Sequence, residues 1–134
     1  MAEKDIAPTL REKSESQTLA EKSRVIKLAF SAHNRHVSTG LVKETLNSKP
    51  NSEELTNFSE IIEELEFQAV EVKVNKKTET SSMENLVCFF DNGSIALITV
   101  RDHETLNISF SGRRGLSISK EQLTQLPNIK FLAF

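Results

Sequence analysis

The sequence predicts an α+β domain, with N-terminal helices packed against an antiparallel β-sheet. Apolar residues recur at helical spacing as far as Leu65, and beyond it they alternate with polar residues or form short runs between turn signals. Helices followed by strands, rather than alternating with them, indicate the α+β class. The 134 residues match one domain and suffice for a core without disulfides.

Residues 1–17 are predicted to be a disordered polar tail, and residues 18–134 the ordered domain. Pro8, Ser14 and Ser16 stand among mixed charges, and the few apolar residues of this segment keep no period. Such a segment buries too little apolar surface to offset the entropy that it loses on ordering.

Three helices are predicted in the first half of the domain. Thr18 opens the first, and its broad apolar stripe predicts a central position. Ser38 is a suitable N-cap for a short second helix. Asn51, with Glu54 three residues later, resembles a capping box at the start of the third. That helix has the clearest amphipathic pattern, with apolar residues at 55, 58, 61, 62 and 65 opposite an acidic side.

Six strands are predicted after Leu65, near residues 70–74, 86–90, 94–100, 106–110, 116–118 and 129–133. Asp91-Asn92-Gly93 is a strong hairpin signal, and residues 101–104 and 111–115 form further turns. The polar segment 76–85 has room for one helical turn. A short helix over 119–126 precedes the last strand.

Composition excludes several classes of function. Seventeen basic and nineteen acidic residues argue against non-specific nucleic-acid binding, and Trp and Tyr, which stack on bases, are absent. One cysteine excludes a disulfide framework and a cysteine-based zinc site. No apolar run approaches the roughly 18 residues of a membrane span, and the N-terminus does not resemble a secretory signal. We therefore expect a soluble domain without a cofactor.

A few residues could carry chemistry, and each has a structural alternative. Cys88 is the only possible thiol nucleophile, but its apolar strand favours core packing. His33 and His36 are spaced for a metal but have no third ligand nearby, which favours structural or surface roles. Arg113 and Arg114, between two glycines, could bind a carboxylate or phosphate or remain in water.

Several strings, in order, resemble one family over residues 17 to 134. The first string is His33-Asn34-Arg35-His36-Val37-Ser38, and the family has His-Gly-Arg, any residue and Val-Ser at these positions. The others are Asp91-Asn92-Gly93, the segment 116–123 and the closing apolar segment 131–134. The family is the N-terminal peptidase domain of ABC exporters that cleave bacteriocin leader peptides after a double glycine. The resemblance implies its papain-like fold.

The resemblance also locates the family's catalytic positions, and the triad is missing from them. The nucleophilic Cys falls at Glu21, the general-base His at Ser94, and the orienting Asp near Phe110 or the residue before it. The oxyanion Gln falls near Glu15 or Gln17. Because a Cys–His peptidase needs a thiolate beside an imidazole, we expect no enzymatic activity in this domain.

Domains that resemble this family but lack its Cys occur at the N-termini of type I secretion ABC transporters. The resemblance therefore implies a non-catalytic domain on the cytoplasmic side of the bacterial inner membrane. Its partners would be an unfolded exported protein, such as an RTX-type toxin or adhesin, and the transporter's membrane and ATPase domains. It would not bind nucleic acid or insert into the membrane. The candidate substrate-binding residues are Ser94, Arg113 and Arg114.

Two alternatives remain open from the sequence. One is a cysteine hydrolase with a displaced nucleophile, for which Cys88 and His103 are the best pair. The other is an adaptor or sensor that binds a folded protein partner through the acidic helix, around Glu60 and Glu64.

Overall fold

The computed structural model describes residues 7–49, 54–113 and 115–134. The helices are α1 (Ala7–Glu15), α2 (Leu19–Ser31), α3 (Thr39–Ser48), α4 (Leu55–Glu64) and α5 (Lys120–Gln125). The strands are β1 (Val70–Val72), β2 (Val87–Phe90), β3 (Ile95–Val100), β4 (Thr105–Ser109), β5 (Leu116–Ser119) and β6 (Ile129–Ala133), and a 3₁₀ turn at Thr80–Met83 precedes β2. Among the described residues, no helix combines the length and apolarity needed to cross a membrane.

The six strands form one antiparallel sheet in the spatial order β1-β6-β2-β3-β4-β5. Strands β2 to β5 follow one another as a meander, as predicted. Strand β6 returns between β1 and β2, so that Leu132 lies opposite Glu71 on one side and Val87 on the other. This return ties β1, the first strand after the helices, to the meander and leaves it at one edge of the sheet.

Both faces of the sheet are covered. Side chains of β2 alternate between two apolar clusters. Val87 and Phe89 pack with α2, α3 and α4, whereas Cys88 and Phe90 pack on the opposite face with residues of α1, α5 and the strands β4 and β5. The α+β class is confirmed, but the prediction that helices cover one face is incomplete. Because residues 86–90 are apolar at every position, both faces of this strand must be shielded from water.

The predicted disordered tail is wrong over residues 7–17, which form α1 and its link to α2. Leu10 is only 3% exposed and packs in the second cluster, and Ser14 is also buried. Residues 1–6 lie outside the described residues. Burying one Leu contributes about 1.5–3 kcal/mol, and an isolated contact of this kind leaves no periodic pattern in the sequence.

Side-chain caps define the starts of three helices. Thr18 and Glu21 form a capping box on α2, in which each side chain accepts from the other residue's backbone N–H. Ser38 caps α3 and Ser119 caps α5. The box predicted to begin at Asn51 lies outside the described residues.

Candidate functional site

The side-chain amide of Gln17 lies between the start of β3 and the end of β4. Its Nε2 donates to the carbonyl oxygens of Ile95 and Phe110, both at 2.7 Å, and its Oε1 accepts from the Ile95 N–H at 3.0 Å. Pairing between the two strands ends at Leu97 and Ser109, so the amide supplies bonds where the ladder has stopped. The link between α1 and α2 is thereby fastened to both strands.

A second polar chain fastens α1 to the β2–β3 turn. Asn92 Nδ2 donates to Ser14 Oγ at 2.9 Å, and Asn92 Oδ1 accepts from the Ser94 hydroxyl at 2.7 Å and from its backbone N–H at 3.0 Å. Gly93 completes this turn with a φ of 84°, a conformation that glycine adopts without strain. We call Ser14, Gln17, Asn92 and Ser94 the polar hub.

Two of the three positions at which the resemblance places a catalytic triad adjoin Gln17, and the third lines a cavity beside it. Ser94 directly precedes Ile95, which bonds to Gln17, and the carbonyl of Phe110 accepts from Gln17. Glu21, in the first turn of α2, lines the same cavity as Phe110. Of the two positions considered for the oxyanion Gln, Gln17 faces the hub and Glu15 is exposed.

The side chains at these three positions are engaged in structural contacts. The Glu21 carboxylate caps α2 through the Thr18 N–H at 2.9 Å. Ser94 is 6% exposed, and its hydroxyl donates to Asn92. Phe110 is buried with its ring 5.1 Å from that of Phe90. A ligand at Ser94 would therefore have to displace an existing hydrogen bond.

A cavity of about 210 Å³ opens beside the hub, between the α1–α2 link and the β4–β5 segment. Its lining residues are Lys13, Ser16, Glu21, Ile108, Phe110, Ser111, Gly115 and Leu116. The wall combines two hydroxyls and two opposite charges with apolar side chains. Such a mixture can hold the polar backbone and one apolar side chain of an extended peptide.

The turn after β4 carries Arg113 in an exposed position. Gly112 has a φ of 77°, and a Cβ built there would lie 2.9 Å from Leu28 Cδ1 on α2. The turn is therefore held closely against α2 while Arg113 faces solvent. Arg114 lies outside the described residues.

Cys88 and His103 are not brought together. Cys88 is fully buried in β2, and this burial raises the pKa of its thiol. It lies opposite Ala96 of β3, whereas His103 is exposed beyond the far end of that strand at Val100. The four residue steps from 96 to 100 alone span about 13 Å.

The remaining histidines are also exposed. His33 and His36 lie in the segment between α2 and α3, and the described residues contain no group of three side chains suited to hold a metal ion. Between these histidines, Asn34 has a φ of 59°. Asparagine is one of the few non-glycine residues that readily adopts this conformation.

Part of the acidic face of α4 is neutralised within the chain. Lys49 Nζ lies 3.2 Å from a carboxylate oxygen of Glu60 and 3.2 Å from one of Glu64. Hydrogen bonds to Glu64 and Glu60 raise the pKa of Lys49. The two carboxylates proposed to attract a partner thus already share a cation.

Sequence reasoning missed how the hub is held together. Ser14 was assigned to a disordered tail, and Asn92 was recognised only as a turn residue. The one sequence signal for the hub is the resemblance, which places the oxyanion Gln near Gln17. The spacing of nearby residues does not reveal the hydrogen-bond partners of Gln17. Both its partners lie more than 75 residues away in the chain.

Comparisons of the chain with protein-family models, curated proteins and solved structures found no match. The residues around the hub and its cavity therefore carry the functional argument.

Proposed function

We propose that this chain is a non-catalytic, peptidase-like docking domain of a type I secretion ABC transporter. It would bind the unfolded exported protein, of the RTX toxin or adhesin class, before translocation. The observation that carries the proposal is that Gln17 joins the residue after Ser94 to Phe110, while Glu21 lines a cavity with Phe110. The proposed location is the cytoplasmic side of a bacterial inner membrane, beside the transporter's membrane and ATPase domains.

Two features support the resemblance on which this proposal depends. The three residues of a Cys–His–Asp triad must lie close together. Gln17 links the residue after Ser94 to Phe110, and Glu21 and Phe110 line the same cavity, which supports the resemblance. The family also has Gly where this chain has Asn34, and Asn34 adopts a left-handed conformation typical of glycine.

The absence of catalysis follows, in this proposal, from the chemistry at the hub. A peptidase would hold a thiolate against an imidazole, whereas this chain has a helix-capping carboxylate, a buried hydroxyl and a buried phenyl ring at the three positions. The bonds of Gln17 close the space between the strands. The adjoining cavity remains open to a ligand and is the proposed docking site.

Two cations near the cavity outnumber its one carboxylate, which favours an acidic, extended ligand. Lys13 and Glu21 both line the cavity, and Arg113 stands exposed two residues from the lining Ser111. Calcium-binding repeats carry carboxylates, which lack their cation when the repeats are unfolded. We expect weak binding, with a Kd between about 1 µM and 1 mM, because an unfolded partner loses entropy when it is ordered.

The test is an NMR titration of the ¹⁵N-labelled chain with a calcium-free C-terminal repeat segment of an RTX protein secreted by the same organism. We expect amide shifts at Ser16, Ser111 and Gly115, and much weaker shifts when calcium folds the same segment. Ser111→Trp should fill the cavity and abolish the shifts. Ser117→Trp, on the exposed side of β5, is the matched control. An absence of shifts at millimolar segment would overturn the proposal.

The contacts weigh against the two alternatives. A Cys88 nucleophile would have to leave the core and cross a strand to reach His103. An adaptor surface at Glu60 and Glu64 would compete with Lys49 for both carboxylates.

A further inference from the structure

Strand β1 is an edge strand with one side unpaired in the described chain. It pairs with β6 through Val70, Glu71 and Val72, and no strand lies on its other side in the sheet order. Val70 is 54% exposed, the largest value among the exposed large apolar residues. An open edge of this kind can pair with another extended chain.

The ladder bonds show which backbone groups point outward. Phe90 donates its N–H to the Ser94 carbonyl and Ile98 donates to Leu86, so the even-numbered residues of β2 bond toward β3. Since antiparallel residues alternate in direction, Val87 and its odd-numbered neighbour bond toward β6.

The direction of backbone hydrogen bonding alternates along β6 in the same way. Residues 130 and 132 bond toward β2, so Phe131 and Ala133 bond toward β1, where they face Val72 and Val70. The N–H and C=O of Glu71 therefore point to the open edge, and those of residue 73 do so where the chain continues extended.

Strand β1 ends at Val72, but the alternation of exposed and half-buried side chains continues to Val74. Val72 and Val74 both pack against the second apolar cluster, whereas Glu71 and Lys73 are exposed. This alternation is that of a β-strand. The segment Val70-Glu71-Val72-Lys73-Val74 thus presents valines on one face and two opposite charges on the other.

This segment is complementary to itself. In an antiparallel pair centred on Val72, Glu71 of one copy lies opposite Lys73 of the other, and Val70 lies opposite Val74. The outward backbone groups of Glu71 and Lys73 are those that such a pair would join. We propose that β1 pairs with β1 of a second copy of this chain across a two-fold axis, which joins two sheets into one.

Charge exchange tests this pairing. Sedimentation equilibrium over a roughly hundredfold range of concentration should show a monomer–dimer equilibrium. Glu71→Lys and Lys73→Glu should each weaken it about tenfold or more, because each places like charges opposite at two symmetric positions. An equimolar mixture of the two variants should regain the dimer, since every pair is then opposite in sign. Glu63→Lys, exposed on α4, is the matched control and should leave the dimer unchanged.

Cysteine cross-linking tests the register. Val72 meets its own copy at a non-hydrogen-bonded position, where Cα atoms lie about 4.5 Å apart, within disulfide range. Val72→Cys should therefore form an intermolecular disulfide readily. Val70→Cys is more exposed but should lie about 13 Å from its copy and cross-link poorly.

The proposal would be overturned by a monomer at every concentration, by a dimer unaffected by both charge variants, or by faster cross-linking at position 70 than at position 72. Pairing of β1 with the repeat segment instead of a second copy, seen as amide shifts confined to residues 70–74, would also overturn it without affecting docking at the cavity.

Discussion

Replacing Gln17 by Ala removes the contact that joins the α1–α2 link to both β3 and β4. The side chain makes three hydrogen bonds, two to Ile95 and one to Phe110, and all involve backbone groups in a partly buried setting. In Gln17→Ala the Ile95 N–H loses its bond to the side chain of residue 17. The carbonyl oxygens of Ile95 and Phe110 each lose one bond as well.

The expected loss follows from the number of bonds and their burial. Each intramolecular hydrogen bond contributes about 0.5–1.5 kcal/mol net, and a buried group left unsatisfied costs about 1–3 kcal/mol. Because water can reach part of this site, we expect Gln17→Ala to lower the free energy of unfolding by about 2–4 kcal/mol. Gln17→Glu keeps the acceptor for Ile95 but loses both donors, so its loss at neutral pH should be at least as large.

Urea denaturation followed by circular dichroism measures this effect. With a slope of about 2 kcal/mol per molar urea, the midpoint should fall by about 1–2 M. Gln125→Ala, an exposed glutamine on α5, is the matched control and should change stability by less than about 0.5 kcal/mol. If the Gln17→Ala midpoint matches that of the control, the hub does not hold the link to the sheet.

Three further predictions concern single residues. Native Cys88 should react with thiol reagents at least about tenfold more slowly than in the unfolded chain, since burial raises its pKa; fast native labelling would contradict this. Gly112→Ala should destabilise by about 1–2 kcal/mol in urea titrations, because φ is 77° and the new Cβ would lie 2.9 Å from Leu28 Cδ1. The control is Gly40→Ala, where a Cβ meets open space, and this change should be neutral or slightly stabilising. Equal losses of stability in the Gly112→Ala and Gly40→Ala variants would refute the steric argument. Backbone N–H groups of the residues that follow Asp102 hold the pKa of its carboxyl below the usual value. The stability that the ionised Asp102 carboxylate contributes is fully present above the pKa of the unfolded state, and it is lost as the pH falls through the lower pKa of the folded state. Between about pH 5 and pH 2 the Tm of Asp102→Asn should therefore fall less than the Tm of the wild type. Equal decreases in Tm would count against this role of Asp102.

Stability and docking can be separated by these variants. Gln17→Ala tests the fastening of α1 without filling the cavity, whereas Ser111→Trp fills the cavity without removing a hub bond. If docking fails in Ser111→Trp while its urea midpoint is unchanged, the cavity itself is the binding surface. If docking instead weakens only in variants that also lose stability, the folded domain binds its ligand through a surface other than the cavity.

Most elements could be predicted because their signals are local. Ser38 and Ser119 cap helices where their side chains can accept nearby N–H groups, and Asp91-Asn92-Gly93 forms the expected turn. The alternation near Val70 and the apolar run of β2 also correspond to observed strands. Helix α1 was not predicted, since its order depends on Leu10 and Ser14 meeting residues of the distant sheet.

The sequence by itself determined the α+β class, the helix caps and the positions of the strands, because periodicity, capping and turn chemistry act over a few residues. Only the tertiary structure decided that Gln17 joins the start of β3 to the end of β4, that β6 returns between β1 and β2, and that α1 covers the second face. Those outcomes depend on contacts between residues far apart in the chain, whose free energies exist only when the whole core is assembled.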